Sequence, residues 1–218
     1  MVPAEHQSKS PAWKAVYADP AFRKALFLAF AAAVPLALLL PVFFQHIEDA
    51  PGLLLNDPIL RWLGPMDVTW ITFSVLYGSL FLGLVRAVRN PWLLVRGMHA
   101  YVFIMLLRMG TMQLLTLEPP PLMIPLIDPI TAVFYPGNEP FRKDLFFSGH
   151  TATLALLVPL AKAGAQRWFF MLATATIGAL VLLQHVHWTV DVLAAPFFVA
   201  LAWWAGGLSL RACGYRAA

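Results

Sequence analysis

Three short clusters in the chain carry side chains suited to chemistry on a phosphate ester. The first is His185-Val-His187-Trp188-Thr189-Val190-Asp191. On a helix His187 and Asp191, four apart, share a face, so the carboxylate accepts a hydrogen bond from one imidazole nitrogen and leaves the other oriented and more basic. That pair is the base-plus-orienter half of a nucleophilic site, in which histidine itself could attack phosphorus. His185 points elsewhere on a helix and reads either as support for the site or as a satisfied structural histidine. The second cluster is Asp144-Leu-Phe-Phe-Ser148-Gly149-His150-Thr151. Ser148 and Thr151 are cap-forming types, and free amides at a helix N-terminus attract anions, so Ser148, Gly149 and His150 read as a helix start or as a phosphate cradle. The third is Arg108, read either as an arginine that snorkels to headgroups or as a fixed guanidinium, bidentate towards phosphate. Arg142 and Lys143 add positive charge beside the second cluster.

A metal site is the obvious competitor, since His150, His187 and Asp191 could supply three ligands. No H-E-x-x-H or cysteine pattern accompanies them, and the neighbouring basic residues favour an anion over a cation. No metal or cofactor is expected. His6, His46 and His99 have no neighbours that argue for chemistry; His99 reads as a packed or snorkelling polar residue.

The elements that must position these clusters are membrane helices. Of the 218 residues 60% are apolar and 12% charged, and mean hydropathy is +0.72; an ordinary soluble domain is about a quarter charged. That composition excludes an ordinary water-soluble enzyme. Six apolar stretches, near 25–45, 68–85, 92–117, 151–160, 168–183 and 192–210, predict an all-α, polytopic protein of six transmembrane helices forming a single membrane domain over 1–218. The fourth is short and must extend past its apolar core to cross. No cleavage site of the A-x-A type follows the first stretch, so the N-terminus is expected to be retained. The formal charge of +4 is a topology signal rather than a nucleic-acid signal, and the lone Cys213 allows neither an intrachain disulfide nor a cysteine zinc site.

Basic residues fix the expected orientation, because cytoplasmic loops are rich in Lys and Arg. With the N-terminus inside, Lys9, Lys14, Arg23, Lys24, Arg86, Arg89, Arg96, Lys162, Arg167, Arg211 and Arg216 are all inner, whereas only Arg61, Arg142 and Lys143 are outer. Both termini are predicted cytoplasmic, with 1–20 as a cytoplasmic N-terminal segment. Arg108 then lies roughly 24 Å along the third span from Trp92, about 6 Å short of the outer edge of the hydrocarbon core. All three clusters therefore fall at the outer face. Residues 118–147 form an extracytoplasmic proline-rich loop, read as an interfacial lid packed against the outer leaflet or over the helix ends, with a passive linker as the alternative.

At these residues the sequence resembles the sphingomyelin synthase family, a branch of the type-2 phosphatidic acid phosphatase superfamily. Asp144-x-x-x-Ser148-Gly149-His150-Thr151 is similar to that family's third motif and His185-x-His187-Trp188-Thr189-x-Asp191 to its fourth, with tryptophan at a usually tyrosine position. Arg108-x-x-Thr111-Met112-x-x-x-Thr116-Leu117 resembles the second, and Gly64-Pro65-Met66-Asp67 echoes the first. The chain lacks the K-x-x-x-x-x-x-R-P motif of the phosphatase branch, and Leu180-Val181 stands where that branch has Ser-Arg. The resemblance implies transfer of a phospho-headgroup from a phospholipid donor to a lipid acceptor such as ceramide or diacylglycerol, on the extracytoplasmic leaflet. It implies His187 as nucleophile, Asp191 as its orienter, His150 as general acid and then base, and Arg108 as phosphate ligand. Lys143, Asp144, Ser148, Gly149, His185 and Trp188 are the further substrate-binding candidates. The alternative is a phospholipase C-type hydrolase or lipid phosphatase with water as acceptor; a scaffold or transporter would need the His/His/Asp set to be structural. Phe134, Tyr135 and Trp188 could contact a quaternary ammonium, which favours phosphocholine or phosphoethanolamine donors. The bilayer is the expected surroundings, in a prokaryotic plasma membrane; a homo-oligomer is possible and nucleic acid is not expected.

Overall fold

The computed structural model describes residues 13–128 and 141–215. Phe134, Tyr135 and the centre of the proline-rich loop lie outside them, as do the first residues of the N-terminal segment. Among the described residues the secondary structure is helical, apart from one isolated parallel bridge between Leu53 and Leu117. The helices are α1 (Trp13–Tyr17), α2 (Pro20–Asp49), α3 (Pro58–Trp62), α4 (Thr69–Val88), α5 (Pro91–Leu114), α6 (Gly149–Leu160), α7 (Ala165–Leu183) and α8 (Thr189–Ala212).

Helix starts follow local chemistry. Asp19, Asp57 and Asn90 each cap a helix through a side-chain oxygen, and each precedes a proline, whose missing N–H costs nothing at the first helical position. Gly164 adopts φ 93° to turn the chain into α7. Five helices, α2, α4, α5, α7 and α8, are long and apolar enough to cross a membrane. The expected fourth span is α6, with 12 residues; at 1.5 Å per residue it covers about 18 Å, short of the ~30 Å core. The third span ends at Leu114 rather than near Leu117.

Helix α5 packs along α8, and α6 packs between α4, α7 and α8. Small side chains make the α5–α8 approach possible. Ala100, Ala195 and Ala202 lie buried in the main core, and a Cβ at Gly206 would come within 3.0 Å of the Ala100 backbone nitrogen, the close contact that membrane helices use in place of a hydrophobic driving force. Large apolar side chains such as Phe27, Leu38, Trp70, Leu172, Leu193 and Phe197 face outward. The first and last described segments meet at one end of the bundle, where Phe22 packs on Trp13 and Trp92, and Trp92 on Tyr215. His99 is a packed polar residue there, bonding the Ala25 carbonyl through Nε2 and Ser209 Oγ through Nδ1, both at 2.9 Å.

Candidate active site

The opposite end of the bundle gathers the three clusters. Residues 143–148 run without helix into α6, yet Leu145, Phe147 and Ser148 are fully buried. Buried backbone outside a helix must find other partners. Arg108 Nη1 donates to the Phe147 carbonyl at 2.6 Å, and Thr111 Oγ1 donates to the Phe146 carbonyl at 3.0 Å. The Ser148 amide donates to the Asp191 carbonyl at 3.1 Å. Arg108 and Thr111 of the second motif thus hold the third motif in place, and a backbone bond ties that motif to the fourth.

Arg108 is 2% exposed, so it does not snorkel. Its Nη2 forms an ion pair with Asp144, which makes Asp144 the counter-ion of Arg108. Two of five guanidinium N–H groups are used in this way. The guanidinium lies against Gly149: a Cβ there would sit 2.4 Å from Nη1. A side chain at the glycine of the Ser-Gly-His triplet would have to displace the Arg108 guanidinium. Ser148 caps α6, accepting from the Thr151 amide at 3.3 Å and the Thr151 hydroxyl at 3.1 Å.

His187 and Asp191 meet, but not on a shared helical face. His187 lies in the turn before α8, whose first residue is Thr189, and Asp191 reaches back from the first turn. Asp191 Oδ2 accepts from the Trp188 amide at 3.0 Å, the reach-back of a capping box, and lies 3.4 Å from His187 Nδ1. Neither His187 Nδ1 nor Asp191 Oδ1 has a hydrogen-bond partner, and both are buried. The pair is one small side-chain rotation from a hydrogen bond, a slack common before substrate binds. The rings of His150 and His187 are 6.2 Å apart, and His150 also packs edge-on to Phe73 at 6.1 Å.

The remaining candidates bond to the surrounding loops. His185 takes φ 56°, a left-handed conformation that costs a residue with a Cβ about 1 kcal/mol or more, and its Nε2 bonds the Leu63 carbonyl at 3.0 Å. Trp188 is 2% exposed among Leu60, Leu117 and Leu145, and its indole N–H donates to the Glu118 carbonyl at 2.9 Å; it is part of the apolar cluster, not an open wall for a quaternary ammonium. Lys143 Nζ donates to the Ala50 carbonyl at 2.8 Å and to Glu118 Oε1 at 2.9 Å.

Three supporting residues were not among the sequence candidates. Gln184, fully buried, accepts from the Val68 amide and donates to Thr69 Oγ1 at 2.7 Å, joining α7 to the start of α4; a lone glutamine ending an apolar run was the available signal. Asp57 Oδ2 accepts from the Thr189 amide at 2.7 Å. Burial pushes that carboxyl up, but amides of Thr189, Leu60 and Ile59 outweigh burial and hold it below the ordinary carboxylate range. Glu118 is likewise held low, chiefly by Lys143, which with the Gly52 amide outweighs burial. The described start of the proline-rich loop packs over the helix ends: the Ile124 amide donates to the Gln184 carbonyl, and the Tyr77 hydroxyl to Asp128 at 2.6 Å.

Residues 143–207 match the family model described as PAP2 superfamily C-terminal. The match begins at Lys143, spans the third and fourth motifs, and supports the type-2 phosphatidic acid phosphatase superfamily. No curated protein matches the chain. A lipid phosphatase or phosphotransferase is the class of membrane enzyme to which the superfamily match and the apolar helices point.

Proposed function

We propose that the chain is a lipid phosphotransferase that moves phosphocholine or phosphoethanolamine from a glycerophospholipid to a lipid hydroxyl through a phosphohistidine. The observation that carries this is the convergence of His150 and His187, ring to ring at 6.2 Å, beside the α6 N-terminus and the buried Arg108. With Nδ1 turned to Asp191, His187 Nε2 attacks the donor phosphorus. The P–N bond forms as the bond to the diacylglycerol oxygen breaks, and His150 gives that oxygen its proton. His150 then takes the proton of the incoming hydroxyl, whose oxygen forms the new P–O bond as the P–N bond breaks. N–H groups of Arg108 and the first amides of α6 offset charge on the phosphoryl oxygens. Asp144 keeps the unliganded guanidinium paired.

The topology that suits this chemistry is six crossings, with both termini cytoplasmic and the site extracytoplasmic. A short α6 is compatible with crossing because its non-helical approach is buried in protein, where Arg108, Thr111 and the Asp191 carbonyl satisfy its polar backbone. A prokaryotic plasma membrane is the proposed location. Hydrolysis is the second reading, favoured by the match to a superfamily that includes lipid phosphatases; there water replaces the acceptor hydroxyl in the second step.

The test is a liposome assay of purified protein with labelled phosphatidylcholine and phosphatidylethanolamine, with and without ceramide or diacylglycerol. A new phospholipid formed only with acceptor, and lost in His187→Ala, is expected. Release of phospho-headgroup regardless of acceptor makes the protein a hydrolase. Equal turnover by wild type and His187→Ala removes the phosphohistidine.

A further inference from the structure

A cavity of about 1040 Å³ opens along the bundle where α7 and α8 splay apart over α6. Its walls are mostly apolar, with Ala175 and Pro196 at mid-length. One end reaches Thr151 and Val192, beside the candidate active site; the other is closed by Arg96, Arg167 and Trp203. Arg96 and Arg167 sit near the starts of α5 and α7, at the end opposite His150 and His187. The twelve residues from Arg96 to Arg108 along α5 measure about 18 Å, more than half of the hydrocarbon core.

Among the described residues, the charges at the far end have no counter-ion. Arg96 stacks its guanidinium on the Trp203 ring at 4.0 Å, and its buried Nε has no acceptor. Arg167 reaches only the Ala161 carbonyl, at 3.5 Å. Neither makes a salt bridge among the described residues. Two guanidiniums closing an apolar groove call for an anion that carries a hydrocarbon chain, and a phosphodiester suits their fork geometry.

We infer that this groove binds an anionic diacyl phospholipid, its phosphate on Arg96 and Arg167 and one acyl chain lying along α6 towards Thr151. The lipid is a bound component at the end of the bundle away from His150 and His187. The inference stands on the groove and the arginines and does not depend on the chemistry proposed for the histidines.

The test uses the full chain in nanodiscs of equal phosphatidylglycerol and phosphatidylcholine, with retained lipid counted by native mass spectrometry after extraction. Wild type is expected to retain phosphatidylglycerol over phosphatidylcholine by about tenfold or more, the effect of two basic groups. Arg96→Gln with Arg167→Gln should abolish the preference. Ala175→Trp, which fills the exposed mid-groove without displacing a core side chain, should remove the retained lipid while both arginines remain. Glycerol phosphate should not compete. Equal retention of the two lipids by wild type, unchanged retention in Ala175→Trp, or displacement by glycerol phosphate would overturn the site.

Discussion

Asp191 serves two partners: its Oδ2 caps the Trp188 amide and faces His187 Nδ1. The two duties separate by substitution. Asn at 191 keeps an oxygen for the cap but loses the charge that steadies an imidazolium, so Asp191→Asn should reduce turnover by about 10³-fold or more with little change in melting temperature. Asp191→Ala should lose the cap as well, at about 1 kcal/mol. Turnover and thermal scans on the two variants check this; equal melting losses would mean that the cap is not made. Gly149 offers a second prediction. A methyl there collides with Arg108 Nη1, so Gly149→Ala should destabilise the protein by about 2 kcal/mol and reduce turnover, read by the same scans. The sequence names Gly149 as a site residue, but only the approach of Arg108 from another helix shows what a side chain there would displace.

At the scale of elements, the site is a junction of helix ends clamped by polar contacts. The Lys143–Glu118 pair, with its bonds to Ala50 and Gly52, fastens the approach to α6 onto the loops after α2 and α5. The carboxyl of Glu118 is lowered from its ordinary value of 4.5, so its stabilisation is complete above that value and lost as pH falls through the lowered one. Melting curves of wild type and Glu118→Gln should therefore differ at neutral pH and converge in acid. A constant gap across that range would show that the pair contributes nothing through charge. The cap of α6, Ser148, was readable, because a cap depends on residues within one turn. The turn that brings His187 to Asp191 was not: spacing of four suits a helix face equally well, and the turn is held from outside by Leu63 and Glu118 through His185 and Trp188.

On the scale of the whole molecule, the described ends of the chain gather at one end and His150 and His187 at the other. Cysteine labelling in a Cys213→Ser background tests the six-crossing topology. Arg142→Cys should react with a membrane-impermeant maleimide added outside cells, and Lys162→Cys only after permeabilisation. Labelling of both from outside would mean that α6 does not cross. The apolar stretches, the Ser148 cap and the residue types of the three clusters were legible in the sequence because hydropathy and capping are local properties. Tertiary structure alone decided which groups Arg108 and Asp144 satisfy, that Trp188 and His185 bond to the surrounding loops, and that a lipid-sized groove separates α7 from α8. Those outcomes depend on buried polar groups finding partners far along the chain, in surroundings where water cannot take their place.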